Sequence, residues 1–153
     1  MHDPTTVPSI LSVSSIAAII GMITGIAGLI FGLLGYVRSR GEIVQTFLTE
    51  LRSPEQIAAR KHIYGGQDFL MTDETASLLT NFYHHWGLMV KHGYLPLWAF
   101  EANELRTIEV YEKLLPFIEK MREQNENPLY AYGFQWLREK LARRLEKKTR
   151  AGK

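Results

Sequence analysis

The chain changes character once along its length: residues 4–37 carry no charged side chain, whereas every Lys and Arg lies at Arg38 or beyond. Apolar positions are therefore continuous in the first part and periodic in the rest. At a rise of ~1.5 Å per residue, residues 10–37 make a helix of roughly 42 Å, longer than the ~30 Å hydrocarbon core of a bilayer. One tilted or protruding transmembrane helix fits that length, and a two-pass hairpin does not. A cleaved signal peptide would need a basic start and a shorter apolar core. The chain starts Met1-His2-Asp3-Pro4, so the pattern predicts a permanent anchor.

Downstream, apolar residues recur at helical spacing and no strand pattern is present. Residues 43–51 continue from the membrane helix, with Gly41 as the place for a break. Ser53-Pro54-Glu55-Gln56 reads as a helix start, with Ser53 as N-cap, Pro54 at the first helical position and Gln56 completing a capping box; Gly65-Gly66 stops that helix. Thr72-Asp73-Glu74 opens a long helix through Leu78, Phe82, Trp86 and Val90 that stops at Gly93. Pro96 starts a short helix through Trp98 and Phe100. From Glu104 the set Leu105, Ile108, Tyr111, Leu115 and Ile118 predicts a helix kinked at Pro116. A last helix starts near Pro128 and carries Tyr130, Phe134, Leu137, Leu141 and Leu145 on one side. The fold class is thus all-α: a tail and transmembrane helix over residues 1–40, then a compact cytosolic bundle of four to five helices over 41–153.

The membrane helix holds the most specific pattern. Ser14, Ala18, Gly21, Gly25, Gly28, Gly32 and Gly35 alternate at spacings of four and three, which keeps them on one face. In lipid no hydrophobic force drives helices together, so close backbone approach over small residues supplies the attraction. The stripe predicts self-association with a left-handed crossing, as a dimer or a higher bundle such as a tetramer.

Charge sharpens the orientation. Asp3 precedes the span and Arg38 and Arg40 follow it, so the positive-inside rule puts the C-terminal domain in the cytoplasm. Residues 138–153 have a net charge of +6 and residues 41–137 a net of −5. The basic end reads as a solvated tail helix or as a segment near anionic headgroups, and the acidic remainder argues against a duplex nucleic-acid surface. Cysteine is absent, which excludes disulfides, thiolate metal sites and a cysteine nucleophile.

Candidate chemistry is densest around Asn81-Phe82-Tyr83-His84-His85-Trp86 and Lys91-His92. Asn81, His85 and His92 share one helix face, with Phe82, Trp86 and Val90 on the other side. Metal is disfavoured, because two histidines two turns apart lack the i,i+4 ligand spacing of helical zinc motifs. Partly buried helix residues with satisfied hydrogen bonds are one reading. The other is recognition of an anionic, base-containing small molecule by Asn81, His85, His92, Lys91 and Tyr83, with phosphate contacts from Arg60, Lys61 and His62 at the end of the preceding helix. A symmetric ligand at an oligomer axis would meet the same residues several times. No Gly-rich phosphate loop, nucleophile elbow or HExxH motif is present, so the expectation is a non-enzyme without a cofactor.

Arg60 with Ile63-Tyr64, Asn81-Phe82, Gly87-Leu88-Met89-Val90, Gly93-Tyr94-Leu95, Tyr111, Leu115-Pro116-Phe117-Ile118, Arg122 and Phe134-Gln135-Trp136-Leu137 resemble a widespread bacterial domain-of-unknown-function family. Its members are small helical domains behind one N-terminal membrane helix, and the likeness covers most of residues 43–145. It implies a single-pass protein of the bacterial inner membrane and carries no activity. In size, anchor and small helical domain the chain is also similar to CRISPR-associated membrane effectors that bind cyclic oligoadenylate. That similarity implies a homo-oligomeric sensor and effector that binds a cyclic nucleotide ligand and acts on the lipid bilayer in antiviral defence. The alternative is a membrane-tethered scaffold or assembly protein with no small-molecule ligand.

Overall fold

The computed structural model describes residues 13–64 and 72–152, with side chains from Ala17 onward. Helices α1 (Val13–Leu51), α2 (Pro54–Tyr64), α3 (Asp73–Lys91), α4 (Glu104–Gln124) and α5 (Tyr132–Ala151) are joined by short connections, with a 3-10 helix at Leu97–Asn103. The protein is all-α, and no strand occurs among the described residues. It divides into two units, Met1–Ser39 and Arg40–Lys153.

In the first unit α1 is long and apolar enough to cross a bilayer, and none of its most apolar window is buried within the chain. Leu29 and Phe31 are 73% and 72% exposed. A Cβ added at Gly21, Gly25, Gly28, Gly32 or Gly35 would meet nothing within 4 Å. The hydroxyl of Thr24, a polar group in this apolar stretch, donates to the Ile20 carbonyl at 2.9 Å, so its donor is satisfied within the helix. Ser14 lies in the helix, but its side chain falls outside the described residues.

The second unit is built around the end of α1, which runs unbroken through Gly41. Phe47 is fully buried, with ring centroids 4.7 Å from Phe100, 5.1 Å from Trp86 and 6.2 Å from Phe82. Full burial of such a ring is worth roughly 1.5–3 kcal/mol. The Trp86 indole N–H donates to a Glu50 carboxylate oxygen at 3.0 Å, so the polar edge of this aromatic is satisfied too. On the other side of α3, Tyr83 stacks on Phe134 at 4.7 Å and Tyr111 meets the same ring edge-on at 5.0 Å. α3 and α5 cross at two glycines. A Cβ at Gly87 would lie 2.1 Å from the Gly133 carbonyl oxygen, so only glycine permits this backbone-to-backbone approach.

Local signals explain most helix ends. The Ser53 hydroxyl accepts from the Gln56 N–H at 3.2 Å, and the Thr72 hydroxyl accepts from the Thr75 N–H at 3.2 Å. The capping box at Ser53 is half formed: Gln56 is buried and its side-chain oxygen has no partner among the described residues. α3 ends with Gly93 at φ 78, where a side chain would be strained. Gly65-Gly66 falls outside the described residues.

Two helices differ from their expected form. α5 starts at Tyr132, after a turn that puts Ala131 at φ 60. In α4 the buried stripe is Glu104, Thr107, Val110, Tyr111, Leu114, Phe117 and Ile118, and Leu105 is 71% exposed. Glu104 turns the helix by one residue, because its carboxylate is buried against Arg144 Nε at 3.1 Å and Lys148 Nζ at 3.3 Å. Pro116 sits on the exposed face of an uninterrupted helix, where the carbonyl it leaves unpaired can reach water. The basic tail folds back in the same way: Arg138 reaches Glu112 at 2.8 Å and Arg144 reaches Glu101 at 2.8 Å.

Candidate functional site

Ile57, Arg60, Lys61 and Tyr64 follow the i, i+3, i+4, i+7 rule and share one face of α2. With Tyr83 of α3, Asn103 at the end of the 3-10 helix and Arg106 in the first turns of α4, they line a cleft of about 230 Å³. Three cationic side chains and two phenols converge there, and no carboxylate belongs to its wall. The end of α2 is fixed by Lys113, whose ammonium donates to the Ile63 carbonyl at 2.9 Å.

The three cations are held differently. Arg60 donates from Nε to the Gln56 carbonyl at 3.0 Å and from Nη2 to the carbonyl of Leu51, the last residue of α1. It also lies near enough to Tyr83 to lower that phenol against the effect of burial. Its guanidinium is thus positioned by backbone oxygens, which orient it without neutralising it. Lys61 and Arg106 make no ion pair among the described residues. The Tyr64 hydroxyl donates to the Arg106 carbonyl at 3.2 Å and pins the two walls together.

Burial pushes the Tyr64 phenol up to about 12, with Tyr83 and Glu109 adding to the shift. Burial also raises Tyr83, against the lowering influence of Arg60. Both stay neutral at any physiological pH, so neither offsets the three positive charges of the cleft.

Of the residues the sequence marked as ligand contacts, Arg60, Lys61 and Tyr83 come together here. Tyr83 is 2% exposed, so its ring is also part of the core. Asn81, His85, Lys91 and His92 do not line the cleft. Asn81 and His85 are exposed on α3; the Asn81 amide approaches the Ser77 hydroxyl at 3.4 Å, and His85 lies edge-on to Trp86 at 5.1 Å. Lys91 donates to the Tyr132 hydroxyl at 2.8 Å, and His92 caps the end of α3. No group of three His, Cys, Asp or Glu placed to share a metal occurs among the described residues.

Sequence reasoning missed Ile57, Tyr64, Asn103 and Arg106. The α2 half was visible as a basic and aromatic stripe at helical spacing, whereas Asn103 and Arg106 reach it only through the packing of α4. His84 carries a second unforeseen role. Its Nδ1 accepts from the Gly133 N–H at 3.1 Å, which ties α3 to α5 at their glycine crossing. Compared with family models, curated proteins and solved structures, the chain matches none.

Proposed function

We propose that the chain is a homo-oligomeric, membrane-anchored sensor whose helical domain binds a nucleotide-like anion, with cyclic oligoadenylate the leading ligand, and acts on the membrane in antiviral defence. The observation that carries this reading is the cleft itself: Arg60, Lys61 and Arg106 converge beside two neutral phenols with no carboxylate among them. Cations on rigid helices favour phosphate, and aromatic groups favour a base. At about 230 Å³ the cleft is smaller than the ~300–1,000 Å³ that encloses a whole drug-sized ligand. A ring-shaped oligonucleotide would therefore be shared between chains, each supplying one such cleft. In that arrangement Asn81, His85 and His92 are the face a neighbouring chain could bring to the same ligand.

Anchoring and orientation rest on α1 and on Arg38 and Arg40, which follow its apolar stretch and favour a cytoplasmic domain at a bacterial inner membrane. The bare small-residue stripe of α1 supports assembly in the bilayer. Arg60 connects ligand to anchor in this reading, since it lines the cleft and also bonds the last carbonyl of α1. A phosphate that draws its guanidinium away would uncap that helix end.

The test is thermal unfolding of the full chain in detergent, followed by tryptophan emission, across a panel of nucleotides and cyclic oligonucleotides. Ligand at a hundred times its Kd adds about 2.7 kcal/mol. A shift of several degrees with one cyclic species, at fewer than one ligand per chain, supports the proposal. No shift across the panel overturns the sensor reading and leaves a membrane-tethered scaffold.

A further inference from the structure

The connection between α3 and the 3-10 helix presents two large rings to solvent for which the fold has no use. Tyr94 and Trp98 are 57% and 56% exposed. They are not on a loose loop. The N–H groups of Tyr94 and Leu95 both donate to the Met89 carbonyl, at 2.9 and 3.1 Å. Leu95 and Phe100, on either side of the exposed pair, are each 1% exposed and lock the segment to the core. Two aromatics held rigidly outward lose little conformational freedom on meeting a partner.

The position of this segment identifies the partner. The Arg40 guanidinium donates to the Gly93 carbonyl at 2.7 Å, so residues 93–98 begin at the end of the unit where α1 enters it. Arg40 is three residues beyond Val37, the last residue of the uncharged apolar stretch. Three residues of helix rise amount to roughly 4.5 Å, less than the depth of a headgroup layer. Tyr and Trp are the side chains that concentrate at that depth, with the apolar ring body toward the acyl chains and the polar edge in the headgroups. Arg38 and Arg40 add the positive charge that anionic headgroups attract.

We infer that Tyr94 and Trp98 insert into the interfacial layer of the bilayer that α1 anchors, so that the helical domain rests on the membrane through this segment as well as through α1. The inference rests on the anchor reading of α1 and is independent of the ligand. It gives the end of α3 a lipid contact, and any movement of α3 or of the 3-10 helix would be felt at the headgroups.

The experiment reconstitutes the full chain into phosphatidylcholine and phosphatidylglycerol vesicles, with and without lipid brominated near the carbonyl end of its acyl chains, and reads tryptophan quenching. Trp86 is 3% exposed and Trp136 is half-buried, which leaves Trp98 as the ring available to lipid. The expected result is a quenched, blue-shifted component that disappears in Trp98→Phe while the thermal unfolding of the domain is unchanged. Tyr94→Ser should reduce the same component in a protein that retains Trp98. Protein that withstands a carbonate wash yet shows no bromolipid quenching overturns this inference and leaves the anchor intact. Undiminished quenching in Trp98→Phe overturns it as well. Protein that washes off the vesicles overturns the anchor reading and this inference with it.

Discussion

Gly133→Ala separates backbone preference from packing, because the two predict opposite signs. Gly133 lies in the first turn of α5 with an ordinary helical φ, and helix propensity alone favours alanine there by ~1 kcal/mol. The added Cβ would sit 2.3 Å from the His84 carbonyl oxygen, 2.8 Å from Leu88 Cγ and 3.1 Å from the Leu88 nitrogen. A carbon approaches a carbonyl oxygen to ~3.3 Å, so α3 and α5 must part by about 1 Å. Overpacking of that kind costs roughly 1–3 kcal/mol. Parting the helices also stretches the bond from the Gly133 N–H to His84 Nδ1, worth ~1 kcal/mol. The balance is a loss of about 2 kcal/mol, or about 8 °C in Tm for a unit of this size. Gly41→Ala, where a Cβ meets nothing within 4 Å, should instead raise stability by a few tenths to ~1 kcal/mol. Denaturation of the full chain in micelles, followed by tryptophan emission, reads both, since Trp86, Trp98 and Trp136 all lie in Arg40–Lys153. A Gly133→Ala protein as stable as the parent would refute the close crossing of α3 and α5.

The His84 imidazole is held below its usual 6.5 by burial and by the neighbouring His85, against an opposing bond to the Ala131 backbone. A lowered histidine stabilises the fold fully above about 6.5 and loses that contribution as pH falls through the window beneath it, because the unfolded chain takes up the proton first. Stability should therefore drop on acidification more steeply in the parent than in His84→Asn, which keeps an acceptor for Gly133 without titrating; parallel pH curves would show that His84 is not responsible. Glu104→Leu should destabilise the fold, because Arg144 and Lys148 lose their buried partner and keep only the exposed Glu101, whereas Arg143→Ala breaks only an exposed pair and should cost less than ~0.5 kcal/mol in the same unfolding experiment. Replacing Gly25 and Gly28 by Leu should weaken cross-linked oligomers in vesicles, and an undiminished ladder would count against the α1 stripe as the assembly face.

Helix existence was legible because 3.6-residue periodicity and capping residues act locally. Ser53, Thr72 and Gly93 each do at a helix boundary what their residue type favours. The stripe of α4 was not, since its rotation depends on Glu104 finding Arg144 and Lys148 from α5, and a carboxylate reads as a surface residue until its partners are known. The site divides in the same way. Arg60 and Lys61 share a helix face with Ile57 and Tyr64, so half of the cleft is encoded in eleven residues of α2. Arg106 joins them through tertiary packing alone. Among adjacent histidines, His85 sits on the face that periodicity exposes, while His84 gains its partner only because two glycines let α5 come close.

Whether Arg60, Lys61 and Arg106 form the proposed ligand site is read from equilibrium binding of cyclic oligoadenylate to the full chain in nanodiscs, with Arg106→Gln and Asn81→Ala measured alongside. Arg106 makes no ion pair among the described residues, so its loss should leave the fold intact. Saturable binding below one ligand per chain is expected, weakened at least about tenfold by Arg106→Gln, the equivalent of one charged hydrogen bond. Binding unchanged by Arg106→Gln but abolished by Asn81→Ala would contradict it and move the site to the exposed face of α3.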